Sequence, residues 1–262
     1  MSENKNWHKE IDLFLVAMGF FTRIPMPSWV EVDTDKLNKA SRYFGLVGLM
    51  VGLICALVFW LAQLLLPAGV AVLLAMIVGV LVTGGFHEDG LADTADGFGG
   101  GWTVEDKLKI MKDSRIGSYG ALALMLVLLL KWQLLVELAL YDPVAATTGF
   151  ILAHTLSRVV AASLIFSESY VRDDDSSKSK PLAQHQGINE LFILLLTGFL
   201  VLFWLKGLAA FSLLIILFGV RFLLASYFRR QIGGYTGDTL GAAQQISEIV
   251  VYLVLLTVGS IL

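Results

Sequence analysis

The chain has 262 residues, 56% of them hydrophobic and only 16% charged, with a mean hydropathy of +0.75. That balance excludes an ordinary soluble domain and calls for helices buried in a lipid bilayer. A net charge of −3 with no basic tail gives no support for a nucleic-acid partner, and the single cysteine, Cys55, cannot form an intrachain disulfide and sits in an apolar run as a packing residue.

The first apolar segment, residues 11–21, is too short to span a bilayer and is followed by no small-residue cleavage site, so it predicts a re-entrant or interfacial helix rather than a signal peptide. The stretch TRIPMP, residues 22–27, makes a rigid turn beside the membrane, where Arg23 reaches either a phosphate or a lipid headgroup. Apolar runs at residues 43–66, 68–82, 119–140, 143–166, 191–205, 208–224 and 246–262 then predict about seven transmembrane helices, several at the short end for a bilayer. Pro67, and Asp142 with Pro143, mark tight turns between paired spans. The expected fold is an all-α, polytopic integral membrane protein, a single domain over residues 1–262 with short interfacial helices. One of these is residues 103–112, TVEDKLKIMK, with Thr103 as cap, Glu105 and Asp106 in the first turn, and Val104, Leu108 and Met111 as an apolar stripe beside three lysines.

Basic residues set the orientation. Lys5, Lys9, Arg23, Lys36, Lys39 and Arg42 precede the first span. Lys107, Lys109, Lys112 and Arg115 occupy the next long loop, Arg172, Lys178 and Lys180 another, and Arg229 and Arg230 the last. The alternate loops carry almost nothing but Lys206. This asymmetry places the N-terminus and every long loop in the cytoplasm and the C-terminus outside. All polar motifs then share one face, which suits a membrane-embedded enzyme served from the cytoplasm better than a cation-coupled transporter, whose polar groups would alternate between faces.

Residues 84–101, GGFHEDGLADTADGFGGG, put Glu88, Asp89, Asp93 and Asp96 into nine residues directly after an apolar run. On a helix starting near Asp89, Asp89, Asp93 and Asp96 share a face at i, i+4, i+7, and three carboxylates there repel one another unless a hard cation such as Mg²⁺, Mn²⁺ or Ca²⁺ sits among them. Mg²⁺ commonly takes a few carboxylates plus substrate phosphates, which implies a phosphorylated substrate, and Gly84 and Gly85 let backbone approach one. His87 reads equally as a ligand to metal or substrate and as a structural hydrogen-bonding residue. A second motif, residues 233–248, begins GGYTGDTLG and aligns with GGFHEDGLA: Gly-Gly, an aromatic, two variable residues, Asp, one variable residue, Leu. Asp89 matches Asp238 and Gly85 matches Gly234, a weak internal repeat over 84–92 and 233–241, and repeats in membrane proteins build sites at their interface. Glu248, deeper in the same predicted helix, is an intramembrane carboxylate and so a functional candidate. The cation set is thus Glu88, Asp89, Asp93, Asp96, Asp238 and Glu248, with Asp89, Asp93, Asp96 and Asp238 taken as catalytic. Arg23, His87, Arg115, Arg158, Gly84, Gly85 and Gly234 form the substrate and phosphate set. Arg158 inside its span meets a carboxylate, a phosphate or, by snorkelling, a headgroup; Lys131 pairs with a carboxylate or touches substrate.

The motifs FFTRIPMP, GGFHEDGLADTADG, MKDSRIGSYGALAL, Ser157 with Arg158, and GGYTGDTLGA followed by Glu248 occur in one order across nearly the whole chain. In these the chain resembles the adenosylcobinamide-GDP ribazoletransferase, or cobalamin 5′-phosphate synthase, family. Gly45 departs from that pattern, where proline is common, and so does Gln245, where some members have glutamate; Gln245 is therefore left out of the ligand set. The resemblance implies a Mg²⁺-assisted reaction in which the ribose hydroxyl of α-ribazole or its 5′-phosphate attacks the cobinamide-side phosphorus of adenosylcobinamide-GDP and GMP leaves. It also implies a bacterial cytoplasmic membrane, a lipid bilayer as surroundings, and either a homo-oligomer or a complex with other corrinoid enzymes. A fainter likeness of residues 89–93 to the core of CDP-alcohol phosphotransferases gives the competing reaction, with CMP as product; Asp93 stands where those enzymes have arginine.

Overall fold

The structure, a computed structural model, describes residues 2–171 and 183–259, with side chains over 8–171 and 183–258. Among the described residues it is all-helical, as expected, with no strand and one isolated parallel bridge, Tyr170 to Tyr235.

Helix α1 (Ser2–Phe21) contains the predicted short helix and extends it toward the N-terminus through a polar half. The next helix, α2 (Thr34–Ala40), begins at Asp33, whose carboxylate accepts the Lys36 N–H, and leads through a 3-10 turn (Ser41–Tyr43) into α3 (Phe44–Ala62). Pro67 starts α4 (Ala68–Thr83), which stops at Gly84 and Gly85, both left-handed at φ +69° and +71°. The chain then leaves at 86° as α5 (Phe86–Gly100). Thr103 caps α6 (Val104–Ile110) in a reciprocal box with Asp106. After α7 (Ser118–Tyr141), Asp142 caps α8 (Pro143–Ser167), with Pro143 at the first helical position, where its missing N–H removes no bond. The last three helices are α9 (Ile188–Leu202), α10 (Gly207–Ile232), ending on left-handed Gly233 at φ +82°, and α11 (Gly237–Gly259).

The predicted count of seven spans is not reached by length. Five helices are long and apolar enough to cross, and six if α4 and α5 make one bent span. The shortfall lies in α4 and α9, of 16 and 15 residues. At ~1.5 Å per residue they reach only about 22–24 Å, short of a ~30 Å hydrocarbon core. The second acidic motif follows expectation: α11 begins at Gly237, so Asp238 and Glu248 lie in one helix, which also carries the last predicted span, while residues 233–236 precede it.

At the centre stands α8, buried almost continuously from Gly149 to Ile165 and flanked by α3 and α11. Its approach to α3 is close because Gly52 carries no side chain: a Cβ there would lie 2.8 Å from the Phe150 carbonyl. By contrast only 22% and 28% of the apolar windows of α7 and α10 are buried, leaving their remaining faces to lipid. The polar junctions meet at one end of this bundle. There the Arg23 N–H donates to the Val82 carbonyl at 2.7 Å, Tyr235 N–H donates to Ser169 O at 2.9 Å, and Val171 N–H donates to Tyr235 O at 3.1 Å. The predicted basic residues Arg172, Lys178 and Lys180, and the last three residues of the final predicted span, lie outside the described residues.

Candidate active site

Two helix breaks build the site. At the first, consecutive left-handed glycines turn the chain from α4 into α5, and no side chain caps α5. Its first-turn N–H groups are therefore left to face the corner, a favourable place for an anion. Arg23 lies across Gly84, where any side chain would overlap the guanidinium. Arg23, Thr22, the two glycines and Asp89 line a polar cavity of about 410 Å³. Asp89 is exposed on the first turn of α5, and Asp93 is half-buried one turn further.

The second break carries Asp238, half-buried in the first turn of α11. Helices α5 and α11 cross where each has a glycine: a Cβ on Gly90 would stand 3.1 Å from the Asp238 Cα, and one on Gly241 would stand 3.2 Å from the Gly90 Cα. With 3.8 Å between consecutive α-carbons, the α-carbons of Asp89 and Asp238 lie within about 9 Å of each other. The two motifs of the sequence repeat therefore converge. Gly234 sits beside this crossing as a backbone contact: a side chain there would overlap the Ser169 carbonyl.

The other candidates divide. Asp96 is buried, and its oxygens accept the N–H groups of Gly117 at 2.7 Å and Gly120 at 2.8 Å. It thus caps the start of α7 from a different helix, its negative charge at the positive end of that helix's dipole. Glu88 turns from the corner into the bundle: Oε1 accepts from Gln245 Nε2 at 3.0 Å, while Oε2 is buried with no hydrogen-bond partner. Gln245 Nε2 also donates to Gln244 Oε1, and Gln244 Nε2 donates to Glu248 at 2.7 Å. Glu248 is fully buried. It takes an ion pair from Lys131 at 2.7 Å and a hydrogen bond from the Tyr252 hydroxyl at 3.1 Å, with His154 Nε2 at 3.6 Å. The structure therefore gathers Glu248 into a membrane-buried cluster and links it to Glu88 on the acidic helix through Gln244 and Gln245. For Lys131 it selects the carboxylate among the sequence alternatives. The spacing held a signal for this cluster, since Gln244 and Tyr252 stand at i−4 and i+4 from Glu248 on one helix face.

Arg158 is also buried, which excludes snorkelling to headgroups. Its Nη1 donates to the His154 carbonyl at 2.9 Å, and its Nε has no partner. It borders two narrow cavities of about 30 and 20 Å³ that flank His87, each with room for about one water. The His87 ring stacks on Phe21 at 5.5 Å between centroids and 11° between planes. Arg115 stands apart. Its side chain is 86% exposed and clasps Asp113, with Nε at 3.0 Å. That contact holds the Asp113 carboxyl down at about 2 and raises the Arg115 guanidinium.

Among the described residues no three His, Cys, Asp or Glu side chains are gathered into a ready metal-ligand set. Asp89, Asp93 and Asp238 nonetheless supply hard oxygen donors around one junction. Mg²⁺ typically takes one or two carboxylates and completes its shell with water and substrate phosphate, so a few carboxylates from two helices suit it.

A family model for cobalamin-5-phosphate synthase matches residues 13–256. Over all 262 residues of both chains, this one is 78% identical to the adenosylcobinamide-GDP ribazoletransferases of Shewanella sp. strain W3-18-1 and Shewanella putrefaciens, and 79% identical to that of Shewanella sp. strain ANA-3. No solved structure matches.

Proposed function

The chain belongs to the cobalamin-5-phosphate synthase family, and from that premise we propose that it joins adenosylcobinamide-GDP to α-ribazole or α-ribazole 5′-phosphate, releasing GMP, in cobalamin biosynthesis. The ribose hydroxyl of the acceptor attacks the cobinamide-side phosphorus, the phosphoanhydride bond to GMP breaks, a phosphodiester forms, and the hydroxyl proton is lost. One phosphoanhydride is exchanged for one phosphodiester. The catalytic demand is therefore charge neutralisation and in-line positioning more than bond activation.

The observation that carries this reading is the polar corner between Arg23 and Asp89. It offers a cation, uncapped helix N–H groups and glycine backbone for a diphosphate, beside carboxylates from α5 and α11. Asp89, Asp93 and Asp238 would hold Mg²⁺, which when bound neutralises phosphate charge. Arg23 and the backbone at Gly84 and Gly85 bind the diphosphate, and the close crossing at Gly90 and Gly241 sets the separation of the two halves. We place this polar end at the cytoplasmic face of the bacterial inner membrane, on the strength of the basic-loop asymmetry.

Purified protein incubated with adenosylcobinamide-GDP, α-ribazole 5′-phosphate and Mg²⁺ is expected to release GMP and form the joined corrinoid. Absence of GMP, or CMP formed from a CDP-alcohol instead, overturns the assignment. A cysteine placed at exposed Ser114 in a Cys55→Ala background is expected to react with an impermeant thiol reagent only from the cytoplasmic side; reaction from outside inverts the orientation.

A further inference from the structure

Away from this site, α9 and α10 both lean on α8 but scarcely touch each other. Between them a groove of about 270 Å³ opens on the face that bears lipid. Its floor is α8 from Leu156 to Ser163, and its walls include Leu195 on α9 and Leu214 on α10. Those two leucines are 48% and 52% exposed, so the walls are unfilled by protein. The seven helical rises from Leu156 to Ser163 make it about 10 Å long.

The lining is apolar except at one end, where Ser163 and Arg221 close it. Arg221 is held in place by its neighbours on α8. Nε donates to Ser163 Oγ at 3.1 Å, and Nη2 donates to Ser163 O at 3.1 Å and to Ser167 Oγ at 2.6 Å. Nη1 has no partner among the described residues. The guanidinium is thus oriented within one turn of the end of α8, at the same end of the bundle as the polar junctions. The carboxylate that follows, Glu168, makes its direct ion pair with Arg229 at 2.7 and 3.0 Å, and attracts Arg221 without direct contact, across the Ser167 hydroxyl. A fixed cation at the polar end of an apolar groove open to the bilayer matches one chemistry: an anionic headgroup joined to a hydrocarbon chain.

We propose that this groove is a binding site for one anionic phospholipid, an acyl chain lying between α9 and α10 and its phosphate at Arg221. The site is separate from the reaction centre and wedges apart two helices that do not otherwise pack. An arginine near the membrane surface contributes roughly a fivefold preference for an anionic headgroup.

The test is native mass spectrometry of the full chain in neutral detergent, offered phosphatidylglycerol and phosphatidylcholine of identical acyl chains in equal amount. The wild type is expected to retain one phosphatidylglycerol about fivefold in excess over phosphatidylcholine. Arg221→Gln is expected to bring the two lipids to parity, and Arg221→Lys to keep most of the preference. Leu195→Trp combined with Leu214→Trp, which fills the groove, is expected to lose the retained lipid of either kind. Equal retention by the wild type, or an unchanged preference in Arg221→Gln, overturns the proposal. So does a wild-type dimer that the tryptophan pair disperses, since that assigns the groove to a second copy of the chain. Should Arg221→Gln fail to fold, the tryptophan pair decides by itself, because it leaves the hydrogen bonds of Arg221 in place.

Discussion

Residues 84–92 and 233–241 carry the same pattern and make the same local event: a helix ends on a left-handed glycine, Gly84 or Gly233, and an aspartate appears in the first turn of the next helix. Their surroundings differ. After Gly84 a second left-handed glycine opens the corner onto a 410 Å³ polar cavity under Arg23. After Gly233 the backbone instead pairs with residues 169–171, and Tyr235 is fully buried, its hydroxyl donating to the Ala183 carbonyl at 3.1 Å. One motif is built open and the other locked, yet both aspartates reach the same crossing. A repeated sequence can thus bring two carboxylates to one helix crossing while only one copy borders an open polar cavity.

The largest expected effects break the open copy. If the proposed site is right, Asp89→Asn or Asp93→Asn should lower GMP release by on the order of 10²–10³-fold, since each removes a charge that the proposal sets beside the transferred phosphate while keeping side-chain volume. Circular dichroism should show the helices intact. Asp238→Asn tests whether the locked copy serves the same ion. The Mg²⁺ concentration for half-maximal rate should rise, as in Asp89→Asn, whereas unchanged Mg²⁺ dependence with a raised KM for α-ribazole would move Asp238 to the acceptor side.

The glycines sharpen the contrast. Gly234→Ala drives a methyl into the Ser169 carbonyl and should destabilise the protein by about 1–3 kcal/mol, read as a lower melting temperature. Gly84→Ala should also cost about 1–2 kcal/mol for its left-handed backbone, but in addition should raise the KM for adenosylcobinamide-GDP by displacing Arg23. If both variants changed only stability, the open copy would not be a substrate corner. Asp96, two turns further along the helix of the open copy, should behave like the locked one. Asp96→Asn loses charged hydrogen bonds to Gly117 and Gly120, about 1–3 kcal/mol, and should leave Mg²⁺ dependence unmoved.

The smallest effect is a pH dependence at the surface. Asp113 titrates at about 2 in the folded chain against an ordinary 3.8, because of Arg115. A carboxyl held low stabilises the fold above its unfolded value, and that contribution fades as pH falls from 3.8 through about 2. Asp113→Asn should therefore flatten the melting temperature against pH over that interval only slightly, since the pair is exposed and screened.

Much of the fold was readable because it is written locally. The apolar runs, the cap at Thr103, and the tight turn at Asp142 and Pro143 each depend on residues within a turn or two of themselves. The candidate site was readable only in part. Asp89, Asp93 and Asp238 could be named from composition and repeat, but Asp96, on the same helix, could not be separated from them. What distinguishes it is the pair of backbone N–H groups that α7 brings from 21 and 24 residues away.

By itself, the sequence determined an all-helical membrane chain whose polar motifs are concentrated at helix breaks, since hydropathy and glycine placement act through the bilayer and the local backbone. Only the tertiary structure decided which carboxylates face the corner and which are neutralised inside. Helix rotation and crossing set that choice. Lys131 reaches Glu248 because α7 and α11 pack side by side, and Asp238 reaches the acidic helix because Gly90 and Gly241 allow two backbones to touch. A buried carboxylate must find its partner across such an interface, and no spacing along one helix records which neighbour will supply it.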